Sequence, residues 1–182
     1  MSFLSDIFGR KKNDKPSPDL AVYEAIVDQI TISNTLRSEL KAELKQAFED
    51  PKSFYDDNNE FILSERGLTY PTDASVTPKY VLIDTLQDNG EMAEADWKEE
   101  ESEIRILLAE ICMAKNYDIR ISDDDQYEDA DTDEVFKYID EKELKPQGYS
   151  IVLLDIGSDS FIFTIVPTPI EKEVKAMFEK IK

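Results

Sequence analysis

The chain contains no histidine among its 182 residues. Histidine is the commonest general base, the commonest zinc ligand and the usual charge switch near neutral pH. Ser-His-Asp and Cys-His mechanisms are therefore excluded within this chain. A metal site would have to be built from carboxylates, which favour magnesium, calcium or manganese.

Cysteine and long apolar runs are also scarce. Cys112 is the only cysteine, so it can form neither an internal disulfide nor a zinc site by itself. No stretch of the sequence approaches the roughly eighteen apolar residues that a membrane-spanning helix needs. The first eight residues lack a basic region before their apolar residues, which argues against a secretory signal. We therefore expect a cytoplasmic protein.

Positive charge is scarce relative to negative charge. The chain has 41 acidic and 21 basic residues, for a net charge of −20. Residues 88–134 alone carry 18 acidic and 4 basic residues, a net −14. Such a surface argues against direct binding of nucleic acid or of an anionic membrane. If the protein has an electrostatic partner, that partner is a basic protein.

The N-terminal residues 1–15 differ from the rest in composition. Phe3, Leu4, Ile7 and Phe8 recur at helical spacing, and a basic run follows them. This pattern is typical of a small amphipathic anchor or of a terminal helix that folds back onto the body. One and a half turns bury too little to hold a bilayer alone, so the sequence argues against membrane attachment. We assign residues 16–182 to a single domain.

The order of predicted elements indicates an α+β fold. Two amphipathic helices before Pro51 predict an N-terminal helical hairpin, and a third helix ends at Asn89-Gly90. A strand is predicted over 92–97, a buried helix over 99–115 and another helix over 132–144. Two apolar runs around Gly157 predict a hairpin, and a last helix follows. These elements suggest a small, mainly antiparallel sheet packed with helices.

The acidic tract 123–134 partly matches a calcium loop. Asp129, Asp131 and Asp133 stand at positions one, three and five, and Asp140 stands at position twelve. Position six is Glu134, where the loop needs glycine. A solvated loop whose carboxylates complement the next helix N-terminus is the simpler interpretation.

A second group of carboxylates lies on the predicted strands. Glu94 and Asp96 share one strand face, and Asp155 and Asp159 lie at the hairpin. If those strands are neighbours, several carboxylates meet beside Trp97 and could hold a divalent metal or hydrolyse a glycoside. Aspartates at strand ends also accept backbone N–H bonds, which is a purely structural use.

Two segments resemble the paired signatures of a bacterial domain family of unknown function. They are AEADWKE at 93–99 and LDIGSDS at 154–160. The family pattern is a strand like AELDWKED before a long helix, with a hairpin like GSDSY near the C-terminus. Ala95 replaces leucine, Glu100 replaces the second aspartate and Phe161 replaces tyrosine. The resemblance spans about residues 78–166.

The resemblance implies no activity. It implies one structural neighbourhood around a tryptophan, which we expect to be buried with a satisfied polar partner. The members of that neighbourhood would be Glu94, Asp96, Trp97, Asp155, Gly157, Ser158 and Asp159.

These observations favour a non-catalytic interaction protein without a cofactor, binding a basic protein partner through Glu94, Asp96, Trp97, Asp155 and Asp159. An immunity-type protein that neutralises a cationic toxin is one version of this hypothesis. A carboxylate-based metal-binding protein or hydrolase is an alternative. A nucleic-acid mimic, with carboxylates spaced like phosphates, is another.

Overall fold

The computed structural model of the protein describes residues 19–56, 66–122, 124–127 and 130–182. The predicted amphipathic segment 1–15 lies outside these residues, as do Asp123 and Asp129 of the acidic tract. Seven α-helices are described: α1 (Leu20–Ile30), α2 (Asn34–Glu49), α3 (Pro51–Asp56), α4 (Thr77–Asp88), α5 (Glu101–Ala114), α6 (Thr132–Ile139) and α7 (Glu171–Ile181).

Three antiparallel strands form one sheet in the order β1-β3-β2, with β1 at Ala93–Asp96, β2 at Tyr149–Leu154 and β3 at Ser160–Pro167. β3 is the central strand, and its Phe163 lies opposite both Ala93 and Leu153. The predicted α+β class, the small antiparallel sheet and the N-terminal helical hairpin are confirmed.

Both faces of the sheet are covered by helices. On one face Ile162 and Val166 of β3 join a core built with α1, α2, α4 and α7. On the other face Phe163 and Ile165 join a core built with α5 and α6. A strand buried on both faces has little room for polar side chains, which explains the nearly continuous apolar run of β3. This arrangement leaves the strand ends and the two outer edges of the sheet for function.

Local signals account for the helix boundaries near the first core. The Asp19 carboxylate accepts the Val22 N–H at 3.1 Å, and the Ser33 hydroxyl accepts the Leu36 N–H at 3.2 Å. Both are N-cap bonds that satisfy otherwise free helix donors. At the end of α4, Gly90 adopts φ +68° and the Glu91 N–H donates to the Leu86 carbonyl at 2.9 Å. This is the glycine C-cap that the sequence predicts.

The helix α6 leads into an irregular segment before β2. A π-helix spans Asp140–Leu144 and a 3₁₀ turn spans Lys145–Gln147. The Asp140 carboxylate accepts the Ile151 N–H at 2.8 Å and the Ser150 hydroxyl at 2.9 Å. These bonds fasten the π-helix to the outer edge of β2.

Candidate functional site

An open groove of about 740 Å³ lies beyond the ends of β1 and β3, where the N-termini of α5 and α6 converge. We call it the acidic groove. It is lined by residues 97–101, 125, 127, 130–133, 135 and 161.

Trp97 forms one wall of the acidic groove. The Asp96 carboxylate accepts the Lys98 N–H at 2.9 Å, which turns the chain as β1 ends, and the Trp97 N–H donates to the Asp159 carbonyl at 3.0 Å. The expected burial of Trp97 is wrong, because its side chain projects past the strand end and the residue is 52% exposed. An exposed tryptophan in a concavity is a common feature of binding surfaces.

The face of the Trp97 ring already carries a cation. The Lys98 ammonium lies 4.3 Å from the ring centroid, within the range of a cation–π contact. Lys98 is also the only basic residue among those that line the acidic groove. The ring face of Trp97 is thus covered in part by a cation of the same chain.

Carboxylates dominate the rest of the lining. Within the described ranges, five of them form no ion pair. Four are exposed and Glu99 is half-buried. In a partly enclosed site, salt screens the attraction between carboxylates and a positive charge less than it does on an open surface. The five residues are Glu99, Glu100, Asp125, Asp131 and Asp133.

The start of α6 is tied to the loop after β1. The Thr132 hydroxyl donates to the carbonyl of Trp97 at 2.7 Å, with a longer contact to the carbonyl of Glu99 at 3.3 Å. Thr132 is itself buried. This bond holds Asp131 and Asp133 at a fixed distance from the tryptophan wall, so the groove is preformed on the fold.

The loop 124–127 is held by the buried ion pair of Glu101 and Arg105. The Glu101 carboxylate accepts the N–H groups of Gln126 at 3.0 Å and Tyr127 at 2.6 Å. Arg105 donates to the same carboxylate at 2.6 Å, and their side chains are 5% and 3% exposed. Asp125 therefore reaches the groove from a loop that hydrogen bonds fix in place.

The charges of this pair are stabilised in the folded protein. Burial alone would raise the pKa of Glu101, but the N–H groups of Gln126 and Tyr127 and the Arg105 guanidinium outweigh it and hold that pKa below its ordinary value. Burial opposes the charge of Arg105 as well, yet the hydrogen bonds that it donates to Glu143 and Glu101 raise its pKa. Glu101 is thus a structural carboxylate beneath the groove.

The site residues that the sequence predicts on the strands lie in three places. Asp96, Trp97 and Asp159 lie together at the shared end of β1 and β3. Glu94 shares the sheet face of its cross-strand partner Ile162, away from the groove-lining Phe161, and its carboxylate accepts a hydrogen bond from Arg66 at 3.1 Å. Among the residues predicted on the strands, only Trp97 lines the acidic groove, together with Asp131 and Asp133 of the predicted calcium loop.

Asp155 is used in the hairpin turn. Its carboxylate accepts the Gly157 N–H at 2.8 Å, and Gly157 adopts φ +74°. Asp155 directly follows β2 and Glu94 lies in β1, and these two edge strands are separated by β3. The expected meeting of all these carboxylates beside one tryptophan does not occur.

The partial calcium loop is not assembled in the described part of the tract. Asp140 is 9% exposed and is bound by Ser150, Ile151 and Lys145, the last at 2.7 Å. Asp133 lies in the first turn of α6. In residues 19–56, 66–122, 124–127 and 130–182, no three acidic or cysteine side chains converge as a metal-binding group.

Sequence reasoning found the acidic segment but missed its assembly with the tryptophan. Four separate parts of the chain supply the groove, and they meet through the β1–β3 pairing, the Thr132 bond and the bonds of Glu101 to the loop 124–127. The sequence feature that indicates the groove is the excess of negative charge in residues 88–134, a segment that contains every groove carboxylate.

The fold and groove define a class: an α+β protein with a three-stranded antiparallel sheet and a preformed acidic, tryptophan-walled groove at the strand ends. The chain belongs to the family described as Domain of unknown function (DUF6630), whose profile matches residues 23–182. Comparison with curated proteins and with solved structures finds no match. None of the described helices is long and apolar enough to span a membrane.

Proposed function

We propose that this protein is a non-catalytic interaction protein that binds a basic protein partner in the acidic groove. The observation that supports this most directly is Trp97, a half-exposed aromatic wall facing carboxylates that have no ion pair in the described residues. Lysine and arginine side chains satisfy both features, because they pair with carboxylates and stack on aromatic rings.

The charge of the whole chain supports the same partner class. A net −20 steers a basic protein toward the surface, and the carboxylates of residues 97–133 concentrate that attraction at the groove. Association through such a surface weakens as salt rises. A cationic toxin neutralised by an immunity-type protein is one partner of this class.

The test is a capture experiment with paired variants. The immobilised protein is exposed to a native extract at about 0.1 M salt and eluted with a salt gradient, since about 1 M salt screens exposed charge. Asp131→Asn with Asp133→Asn removes two groove charges, and asparagine still suits the N-cap position of Asp131. Glu103→Gln with Asp118→Asn removes two exposed charges outside the groove.

We expect one basic protein that is retained by the wild type and by the control pair but lost from the groove pair. Its affinity would then be measured with the purified partner. A partner that depends equally on both pairs would contradict the groove as the binding site. Competition by a DNA duplex for that partner would indicate nucleic-acid mimicry, since the duplex and the protein would then share its basic surface.

A further inference from the structure

Part of the outer edge of β2 has backbone groups that pair with no other strand of the described residues. β3 pairs with one side of β2, and no strand within the described ranges pairs with the other. The Ile151 N–H points outward, because it donates to the Asp140 carboxylate at 2.8 Å. Alternation along a strand directs the N–H and C=O groups of Leu153 outward as well. Asp140 thus covers one position of the edge, and Leu153 is the next outward position.

A second groove, of about 320 Å³, follows this edge between α6 and α7. We call it the edge groove. Leu153 is 41% exposed there, beside the buried Phe136 of α6. A sheet edge with an exposed apolar residue and free backbone groups pairs readily with another strand.

The charges beside the edge groove are nearly balanced. Asp133 and Lys137 lie one turn apart on α6, and Lys175 and Glu179 lie one turn apart on α7. Within the chain, Lys175 is paired with Glu171 and Glu179 is paired with Lys182. Asp140, the remaining charged residue of the lining, is paired with Lys145. The chain has nearly twice as many acidic as basic residues. At the edge groove, where the charges are nearly balanced, the local repulsion between two copies is small.

The arrangement of these charges is self-complementary. A twofold axis beside Leu153 pairs β2 of one copy antiparallel with β2 of the other, and it also makes α7 of one copy antiparallel to α7 of the other. Lys175 of each copy can then face Glu179 of the other, in addition to the partners Glu171 and Lys182 that these two residues have in their own chain. The same operation brings Lys137 of each copy toward Asp133 of the other. A symmetric contact requires this match of a surface with itself.

We propose that the protein forms a symmetric dimer in which the β2 strands of two copies pair at Leu153 and extend the sheet to six strands. The Leu153 N–H of each copy donates to the Leu153 carbonyl of the other. The proposal does not rest on the basic partner, because Trp97 and Lys98 do not line the edge groove, and Asp133 is the one carboxylate that both grooves share.

Salt separates the two interactions. The net charge of −20 on each copy opposes dimerisation over long distances. Salt screens this long-range repulsion more than the close ion pairs of the contact, so salt strengthens the dimer. Binding of a basic protein in the acidic groove weakens under the same change.

The test is sedimentation velocity of the full chain with amide hydrogen exchange at Leu153. Samples span about 10 μM to about 1 mM, because a contact of this small size is expected to be weak. They are compared at about 0.05 M and about 0.5 M salt. We expect a monomer–dimer equilibrium with at least a tenfold smaller dissociation constant at the higher salt. We also expect slower exchange of the Leu153 amide as the dimer forms.

Two sets of variants test the geometry. Leu153→Lys places a charge on the edge and should abolish the dimer, whereas Ile106→Lys changes a 50% exposed residue of α5 and should not. Glu179→Lys should weaken the dimer, and adding Lys175→Glu should restore it by exchanging the two signs. A monomer at every concentration and salt would overturn the proposal. So would a dimer that Leu153→Lys leaves intact, or in which the Leu153 amide stays unprotected.

Discussion

Arg105 and Glu143 meet through two parallel hydrogen bonds, 3.1 Å from Nη1 to Oε2 and 2.9 Å from Nη2 to Oε1. The same guanidinium binds Glu101 and donates to the Ser122 carbonyl at 3.1 Å. One buried side chain of α5 thereby joins the π-helix, the start of α5 and the loop beneath the acidic groove. Bidentate pairing of this kind requires the planar fork of arginine.

Arg105→Ala should destabilise the protein by about 3–5 kcal/mol, because it leaves the buried Glu101 and the partly buried Glu143 without their cation. The free energy of unfolding is measured by urea denaturation. Arg120→Ala, at an exposed arginine, is the control and should change that free energy by no more than about 0.5 kcal/mol. A loss below about 1 kcal/mol for Arg105→Ala would show that the network contributes little to stability.

Much of the fold could be predicted because its signals are local. The apolar periodicity of α5 identified its buried face, and Asn89-Gly90 identified the end of α4. The helix α3 was missed, because Pro51 ends α2 but also occupies the first position of α3. Proline suits both places, so the residue alone cannot distinguish them.

The candidate site was less predictable because it depends on strand order. The sequence placed Glu94 and Asp155 on strands, but only the central position of β3 shows that those strands are not neighbours. The exposure of Trp97 likewise depends on β1 ending at Asp96. Neither the strand order nor the exposure of Trp97 can be predicted from one segment of the sequence alone.

Gly90 and Gly157 form a matched pair for testing backbone conformation. Both have positive φ, +68° and +74°, which an L side chain adopts at a cost of about 1 kcal/mol. A Cβ at Gly90 would also lie 3.2 Å from the Ala114 Cβ, whereas a Cβ at Gly157 meets no atom within 4 Å. Gly90→Ala should therefore lower the melting temperature more than Gly157→Ala. Equal losses would show that contact with α5 adds no further cost.

Alanine substitutions at Trp97 and Lys98 should have opposite effects on the affinity for the basic partner. Trp97→Ala should weaken binding at least tenfold, about 1.4 kcal/mol, because it removes the aromatic wall. Lys98→Ala should tighten it by about two- to fivefold, since the partner no longer displaces an ammonium worth about 0.5–1 kcal/mol on the ring. The dissociation constants are measured by calorimetry at one salt concentration.

The controls for this pair address charge and stability. Lys180→Ala removes the same charge from an exposed site on α7 and should tighten binding less than Lys98→Ala does. Trp97→Ala should leave the free energy of unfolding within about 1 kcal/mol of the wild type, because half of the side chain is already exposed. Weaker binding after Lys98→Ala would mean that Lys98 itself contacts the partner.

Lys115 should make stability depend on pH above neutrality. The residue is 2% exposed, and its ammonium donates to the Thr164 hydroxyl at 2.7 Å and to the Ile165 carbonyl at 3.1 Å. Burial lowers the pKa of Lys115 from 10.5 to about 8, against the attraction of the buried Glu91. Between these two pKa values the unfolded chain holds a proton that the folded protein has released. The contribution of Lys115 to the free energy of unfolding therefore rises with pH from about 8 to about 10.5 and is constant outside that window.

Ionisation of Cys112 changes the free energy of unfolding in the opposite direction, so Cys112 is replaced in both proteins that are compared. Burial raises the pKa of its thiol from 9.0 to about 11, so its contribution to stability falls as pH rises across that range. We would measure unfolding by urea for Cys112→Ala and for Cys112→Ala with Lys115→Met, from pH 7 to about pH 10.5. The difference between the two proteins should grow in favour of Lys115 above about pH 8. A difference that stays flat would mean that Lys115 keeps its ordinary pKa and that its buried ammonium is fully stabilised by Glu91 and the two hydrogen bonds.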